Sequence, residues 1–140
     1  MLTTHLTHPP LLEALARAGH GSKVLIADAN YPFSTAGGPN STSVYLNVAP
    51  GLLTVDQVLE VLRKTMPIEA ALTMRNEADE LAPPHAGYQK AFGDALEIGS
   101  AGRWEFYDLA RGADLAVLIA SGDQRPCANL LLTVGVRPAQ

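Results

Sequence analysis

The chain has 140 residues, 47% hydrophobic and 17% charged, which predicts one globular domain, residues 1–140, with a single core. Its formal net charge of −4, without any cluster of Lys or Arg, excludes nucleic acid as a partner, since nucleic-acid binding depends on clustered positive charge. No apolar run approaches the roughly 20 residues that a membrane-spanning helix needs, so we expect no membrane partner.

The N-terminus and the cysteine content bear on the location of the protein. The first ten residues, MLTTHLTHPP, lack the basic patch and the apolar segment of a secretory signal. Cys127 is the one cysteine of the chain, so it cannot form an internal disulfide, which agrees with a reducing compartment. We therefore expect a cytoplasmic protein.

The N-terminal part of the chain predicts a helix, a strand, a long loop and a second strand. Apolar residues repeat at helical spacing over residues 11–18, and Gly19 is expected as the left-handed C-cap of that helix. Lys23–Ala27 is a short apolar, β-favouring run that predicts a buried strand. Residues 31–43 are rich in Pro, Gly and Ser and predict a loop, and residues 44–48 alternate as a strand does.

The middle of the chain predicts a second helix followed by a third strand. Thr54 and Gln57 have the spacing of a capping box, which indicates that a helix begins there. Pro67 lies beyond the end of that helix, and Ile68–Met74 is strand-like.

The C-terminal part predicts one more helix and two more strands. A Pro pair precedes a helix expected over residues 85–96. Residues 103–107 fit either a strand or the start of a helix, whereas residues 115–120 and 129–134 are predicted strands. This interleaving of helices and strands predicts an α/β fold, a single sheet with helices packed on it.

The α/β prediction also indicates where a ligand would bind. Open α/β sheets bind ligands in crevices at the carboxyl ends of their strands. Asp28 follows the first predicted strand directly, so we expect the binding site at its end.

His20 and Asp28 stand at the two ends of that first strand. Histidine exchanges protons near neutral pH because its ordinary pKa is about 6.5, which makes His20 a candidate general acid or base. Each residue also has a structural interpretation: a histidine after a helix can cap its last carbonyls, and an aspartate after a strand can form a turn. The residues alone leave both interpretations open.

The remaining histidines and the cysteine indicate less. His5, His8 and His85 are predicted to be solvated, and no cluster of His, Cys and carboxylate has the spacing of a metal site. Cys127 follows a proline and is interpreted as a small buried side chain rather than a nucleophile.

The segment RWEFYD, residues 103–108, combines aromatic rings with polar ends. Such a segment suits a sugar, because rings pack on its C–H surface while Arg103 and Tyr107 hydrogen-bond to its hydroxyls. The alternative is a half-buried aromatic element that keeps its polar ends in solvent.

Three segments together carry a resemblance to a known family. They are GHG followed by DA and a proline over residues 19–32, RWEFYD over residues 103–108, and CANLLLTVGV with a proline over residues 127–138. In this order and spacing they resemble the ribose pyranase and fucose mutarotase family along nearly the whole chain. The Phe106-Tyr107 pair is similar to the fucose branch.

The resemblance implies an α/β subunit of that family's fold, assembled into a symmetric homo-oligomeric ring such as a decamer, with each sugar site near a subunit boundary and no cofactor. It implies an isomerase that interconverts the cyclic forms of a free monosaccharide. By position, His20 corresponds to the proton donor and, with Asp28, makes up the expected catalytic pair. The residues expected to bind substrate are Asp28, Arg103, Tyr107, Cys127, Ala128 and Asn129.

Cys127 departs from the family pattern, which has a tyrosine at that position. A thiol there removes a ring and a hydroxyl from the expected sugar contact. Three functions are therefore open: a mutarotase acting on L-fucose or a similar aldose, a D-ribose pyranase, and a sugar-binding protein of the same fold without turnover.

Overall fold

A computed structural model describes all 140 residues. The α-helices are α1 (Pro9–Arg17), α2 (Val55–Arg63), α3 (Pro84–Phe92) and α4 (Arg103–Ala110), and a 3-10 turn (Gly93–Ala95) follows α3. The strands are β1 (Lys23–Ala27), β2 (Thr42–Tyr45), β3 (Ile68–Met74), β4 (Gly99–Ala101), β5 (Leu115–Ala120) and β6 (Leu130–Val134). None of the helices has the length and apolar character needed to span a bilayer.

The six strands form one sheet in the order β2-β5-β1-β6-β3-β4. β6 is antiparallel to both of its neighbours, β1 and β3, while the pairs β1–β5, β2–β5 and β3–β4 are parallel. Five strands therefore run in one direction, and their carboxyl ends meet the amino end of β6 at a single edge of the sheet. The predicted α/β class is confirmed.

The central strands are buried on both faces, as their nearly continuous apolar sequence requires. Along β1, Val24 and Ile26 pack into a cluster with residues of α1, α2 and α3, whereas Leu25 and Ala27 pack into a second cluster on the opposite face. That second face is covered by Phe106 and Ala110 of α4 and by the loop after β1. The segments that cover it also carry several candidate site residues.

The first helix ends earlier than predicted. α1 ends at Arg17, Ala18 is already extended with φ −81° and ψ 126°, and Gly19 does not adopt a left-handed conformation. Gly21 has the positive φ instead, at 82°, so the turn that needs a glycine lies two residues closer to β1 than expected. The expected C-cap at Gly19 is therefore wrong.

The predicted boundaries differ from the structure at β2 and α3. β2 covers Thr42–Tyr45 rather than residues 44–48, because its partner β5 ends at Ala120 and leaves nothing beyond it to pair with. α3 ends at Phe92 rather than at residue 96, because Gly93 takes a left-handed φ of 58° and opens the 3-10 turn.

The segment of uncertain type, residues 103–107, lies in helix α4. β4, just before it, was absent from the sequence prediction. Its three residues, Gly-Ser-Ala, carry no apolar alternation, and they form a strand only because Gly99 to Ala101 pair with Leu72 to Met74 of β3.

Tyr88 of α3 fixes the backbone just before β6. The side chain is fully buried, and its hydroxyl donates to the carbonyl of Ala128 at 2.8 Å. Tyr88→Phe leaves that carbonyl without a partner and is expected to lower the free energy of unfolding by about 1 kcal/mol, measured by urea denaturation. Tyr45→Phe, which changes an exposed tyrosine, is the control. Equal stability of the two variants would contradict the assigned hydrogen bond.

Candidate functional site

A cavity of about 190 Å³ lies at the edge where the carboxyl ends of the parallel strands meet. Its walls are the segments that follow β1 and β3, the first turn of α4, and the residues that precede β6. The volume is below the range of about 300–1,000 Å³ that is usual for sites of drug-sized ligands. The cavity therefore suits one small molecule, at the edge that the position of Asp28 predicts.

Asp28 and Asn129 form the floor of the cavity as a paired unit. The amide of Asn129 donates through Nδ2 to Oδ2 of Asp28 at 3.1 Å, and its Oδ1 accepts the backbone N–H of Asp28 at 2.8 Å. The other carboxylate oxygen of Asp28 accepts the backbone N–H of Asn30 at 3.0 Å. The two residues are neighbours because β1 ends where the antiparallel β6 begins.

Burial controls the electrostatics of Asp28. The residue is only 4% exposed, and this desolvation raises the pKa of its carboxyl, against the lowering effect of the backbone hydrogen bonds from Asn30 and Tyr31. A buried carboxyl group with a raised pKa, facing a cavity, is suited to proton transfer.

Arg103 and Tyr107 lie one turn apart on α4 and form one side of the cavity. The guanidinium of Arg103 lies over the rings of Trp104 and Tyr107, with its Cζ 5.2 and 5.6 Å from their centroids. The nearest carboxylate, Glu77, is 3.7 Å from Nη1, beyond hydrogen-bond range. Arg103 thus pairs with the Tyr107 side chain, and its remaining N–H donors are available to a ligand.

Cys127 and Ala128 differ in their access to the cavity. Cys127 lines it, is partly buried, and adopts a left-handed φ of 59° that is uncommon for a residue other than glycine. Ala128 is fully buried and does not line the cavity. Its contribution is the carbonyl that holds Tyr88.

His20 lies away from the other candidates. It precedes β1, whereas Asp28 follows it, and the five residues of β1 alone span about 16 Å. The His20 side chain is 58% exposed, and its Nε2 lies 2.9 Å from a carboxylate oxygen of Glu69. One monosaccharide cannot touch His20 and Asp28 of the same chain.

The structure adds Arg75 to the cavity, a residue absent from the sequence prediction. Its Nε donates to Asp79 at 2.6 Å, and its Nη1 donates to the carbonyl and hydroxyl of Ser100, each at 3.1 Å. Arg75 directly follows β3, so the rule that located Asp28 at the end of β1 would have located Arg75 as well.

Two of the remaining histidines have defined structural partners. Nδ1 of His8 accepts the backbone N–H of Leu11 and caps α1, at a donor–acceptor distance of 3.3 Å. His85 is half-buried, with its Nδ1 2.6 Å from the hydroxyl of Thr73, so its predicted solvation is wrong. The structure groups no three His, Cys, Asp or Glu side chains as a metal site would require.

Comparison with known proteins identifies the family of this chain. The model of the RbsD / FucU transport protein family matches residues 1–137. The chain belongs to this family. Its similarity to a D-ribose pyranase of Paracidovorax citrulli is 32% identity over 97% of this chain and 98% of the relative. Its similarity to a fucose mutarotase of Bos taurus is also 32%, over 94% of this chain and 90% of the relative.

A solved RbsD / FucU structure gives the same result for the fold. The Bacillus subtilis RbsD structure complexed with D-ribose has a TM-score of 0.82 and 25% identity, covering 99% of this chain and all of that one. The relatives' names, pyranase and mutarotase, denote enzymes that isomerise sugar rings. The RbsD / FucU family therefore includes proteins that interconvert ring forms or anomers of sugars.

Cys127 gives the RbsD / FucU site of this chain a thiol that can be titrated. Burial and then the negative charge of Asp28 raise its pKa, so the unreactive protonated form dominates at pH 7. Iodoacetamide labelling of this one cysteine, followed by mass spectrometry, is expected to be slower than that of a free thiol at pH 7 and to accelerate with rising pH. A saturating sugar ligand should slow it further. Labelling as fast as that of a free thiol would contradict the assigned environment.

Proposed function

We propose that the protein is a monosaccharide mutarotase that interconverts the anomers of L-fucose or a similar aldose. The observation that carries the proposal is the buried Asp28, paired with Asn129 and facing a cavity whose other side is lined by the guanidinium of Arg103. This arrangement places a carboxylate, which can orient a sugar and stabilise an imidazolium, next to groups that hold hydroxyls. Ring opening of a hemiacetal also requires a group that exchanges protons, and His20 is the residue proposed for that role.

The reaction needs two coupled proton transfers. The ring oxygen gains a proton as the C1–O5 bond breaks, and the anomeric hydroxyl loses its proton as the aldehyde forms. Closure on the other face of the aldehyde reverses both transfers and gives the other anomer. In our proposal His20 shuttles the proton, Asp28 orients the sugar and stabilises the imidazolium, and Arg103 with the Asn129 amide holds the hydroxyls that do not react.

We further propose that the histidine of each site comes from a second copy of the chain. β1 separates His20 from Asp28 of the same chain by more than the width of a sugar, which supports a site that two subunits share. Asp28 of one subunit would then act with His20 of the partner subunit. A closed homo-oligomeric ring, such as the decamer that the resemblance implies, would give every subunit one complete site.

L-fucose is the proposed substrate because of the apolar part of the cavity. A 6-deoxy sugar carries a methyl group where most hexoses carry a hydroxyl. Tyr31, Met74 and Tyr107 provide an apolar wall beside the polar groups of the cavity. D-ribose is the second candidate, since a relative of equal identity is named a pyranase and the fold matches an RbsD that binds D-ribose.

Saturation-transfer NMR on the anomeric protons tests the proposal directly. Purified protein is expected to accelerate α/β exchange of L-fucose beyond the uncatalysed rate, and to act less on the pyranose–furanose exchange of D-ribose. A preference for D-ribose would favour the pyranase. Absence of exchange with both sugars, together with sugar-dependent protection of Cys127 from labelling, would replace the enzyme with a sugar-binding protein.

A further inference from the structure

The chain between β5 and β6, residues 121–129, carries Cys127 and Asn129 into the cavity and is anchored by a buried carboxylate. That carboxylate belongs to Asp123, which is 1% exposed. Its Oδ2 accepts the backbone N–H of Val55, the first residue of α2, at 2.9 Å. Asp123 therefore ties the β5–β6 segment to the N-terminus of a helix.

Arg125 is the cation that neutralises Asp123. Its backbone N–H and Nε each donate to Oδ1 of Asp123 at 3.0 Å, and Nη2 donates to Oδ2 at 2.6 Å. The same Nη2 also donates to Asp56 in the first turn of α2. Burial raises the pKa of Asp123, but the hydrogen bonds from Arg125 and from the Val55 N–H outweigh burial and hold that pKa below its usual value.

Asp123 and Arg125, together called the clamp, lie next to the floor of the cavity formed by Asp28 and Asn129. The carbonyl of Asp123 accepts the backbone N–H of Ala29, next to Asp28, at 2.7 Å. Two residues after Arg125, the chain takes the left-handed conformation at Cys127, and it then reaches the Asn129 amide that bonds Asp28. A shift of the clamp would thus move both the thiol and the floor of the cavity.

We propose that Arg125 is a positioning residue of the sugar site: it clamps Asp123 to α2, which fixes the segment from Cys127 to Asn129, and it shields Asp28 from the negative charge of Asp123. This inference deepens the proposed function and rests on it. Arg125 itself lies outside the cavity, so its effect passes through the residues it holds.

The shielding depends on the groups that surround Asp28. Burial raises the pKa of Asp28, and the charge of Asp123 adds to that rise. The ionisable groups that face Asp28 within the protein or across the cavity are Asp123, Tyr31, Tyr88, Cys127, Arg75, Glu77, Arg103 and Tyr107. Loss of Arg125 would leave Asp123 without its cation, so ionisation of Asp28 would require a higher pH.

The test compares Arg125→Gln, Arg125→Lys and the control Arg63→Gln, which removes an arginine from an exposed ion pair on α2. Anomer exchange of L-fucose is measured against sugar concentration and pH. Arg125→Gln is expected to raise KM about tenfold, the size of a lost charged hydrogen bond, and to move the acidic limb of activity to higher pH. Arg125→Lys should restore the pH profile, because it keeps the charge, but not KM, because ammonium lacks the fork of donors. Arg63→Gln should match wild type.

Two outcomes would overturn the inference. One is an Arg125→Gln enzyme with the KM and pH profile of Arg63→Gln. The other, which applies if Arg125→Gln fails to fold, is an Arg125→Lys enzyme with an unchanged KM. Labelling of Cys127 by iodoacetamide provides a readout without catalysis, and Arg125→Gln or Arg125→Lys is expected to accelerate it. If wild type shows no exchange with any sugar, the proposed function fails, while the labelling rates still decide whether Arg125 holds the segment.

Discussion

Asp28→Asn is expected to lower catalysed anomer exchange of L-fucose by up to about 10²- to 10⁴-fold, the usual contribution of general acid–base catalysis, because the proton transfer by His20 depends on the Asp28 carboxylate. Asparagine has nearly the same shape, and the fold around it is expected to survive. It cannot carry the negative charge that stabilises a protonated imidazole. The measurement is the saturation-transfer exchange rate at equal protein concentration, with Asp108→Asn, an exposed carboxylate on α4, as the control.

The pH dependence of the wild-type enzyme gives the same carboxyl group a second test. Burial raises the pKa of Asp28, so the ionised form that the mechanism uses is lost at a higher pH than for an ordinary aspartate. Activity should therefore fall on acidification before the usual range of aspartate, about pH 4, is reached. An Asp28→Asn enzyme with wild-type turnover would contradict the role of Asp28.

The sequence alone predicts the positions of site residues that lie at the ends of regular strands. β1 is an apolar run between helix and turn, so its end, and with it Asp28, could be located by strand pattern alone. Asn129 is predicted as a site residue from the family resemblance alone. The structure brings it to Asp28 because β1 pairs with the antiparallel β6.

The rest depends on tertiary contacts that no local pattern encodes. β4 has three small residues and exists because β3 pairs with it. Arg125 occupies a polar turn that the sequence alone describes only as a turn, and its role follows from the burial of Asp123 and the approach of α2. Helix propensity, strand alternation and motif spacing do not predict such tertiary contacts.

For His20, the sequence does not predict which copy of the chain supplies the residue to a site. The resemblance groups it with Asp28, and their places at the two ends of one predicted strand suggest a site within a single chain. β1 holds them at opposite ends, and Glu69 rather than Asp28 is the carboxylate beside the imidazole. A motif identifies which residues act together but not which copy of the chain supplies each of them.

His20→Ala is accordingly expected to be inactive alone but active when mixed with Asp28→Asn in one oligomer. If each site takes Asp28 from one subunit and His20 from the partner subunit, random co-assembly of equal amounts gives about one quarter of sites with both native groups. Co-expression of differently tagged variants, tandem purification and saturation-transfer NMR measure the recovery. His5→Ala, an exposed histidine near the N-terminus, is the control for His20→Ala.

The alternative arrangement gives the opposite result. If His20 and Asp28 of one chain served the same site, every chain in the mixture would lack one of the two groups, and mixing would recover nothing. Separate proteins combined after assembly should also recover nothing, since intact oligomers exchange no subunits unless they dissociate. No chain in the mixture carries both native groups, so recovery that requires co-assembly would establish that two chains build each site. The length of β1, which separates His20 from Asp28 within one chain, is the structural reason for this arrangement.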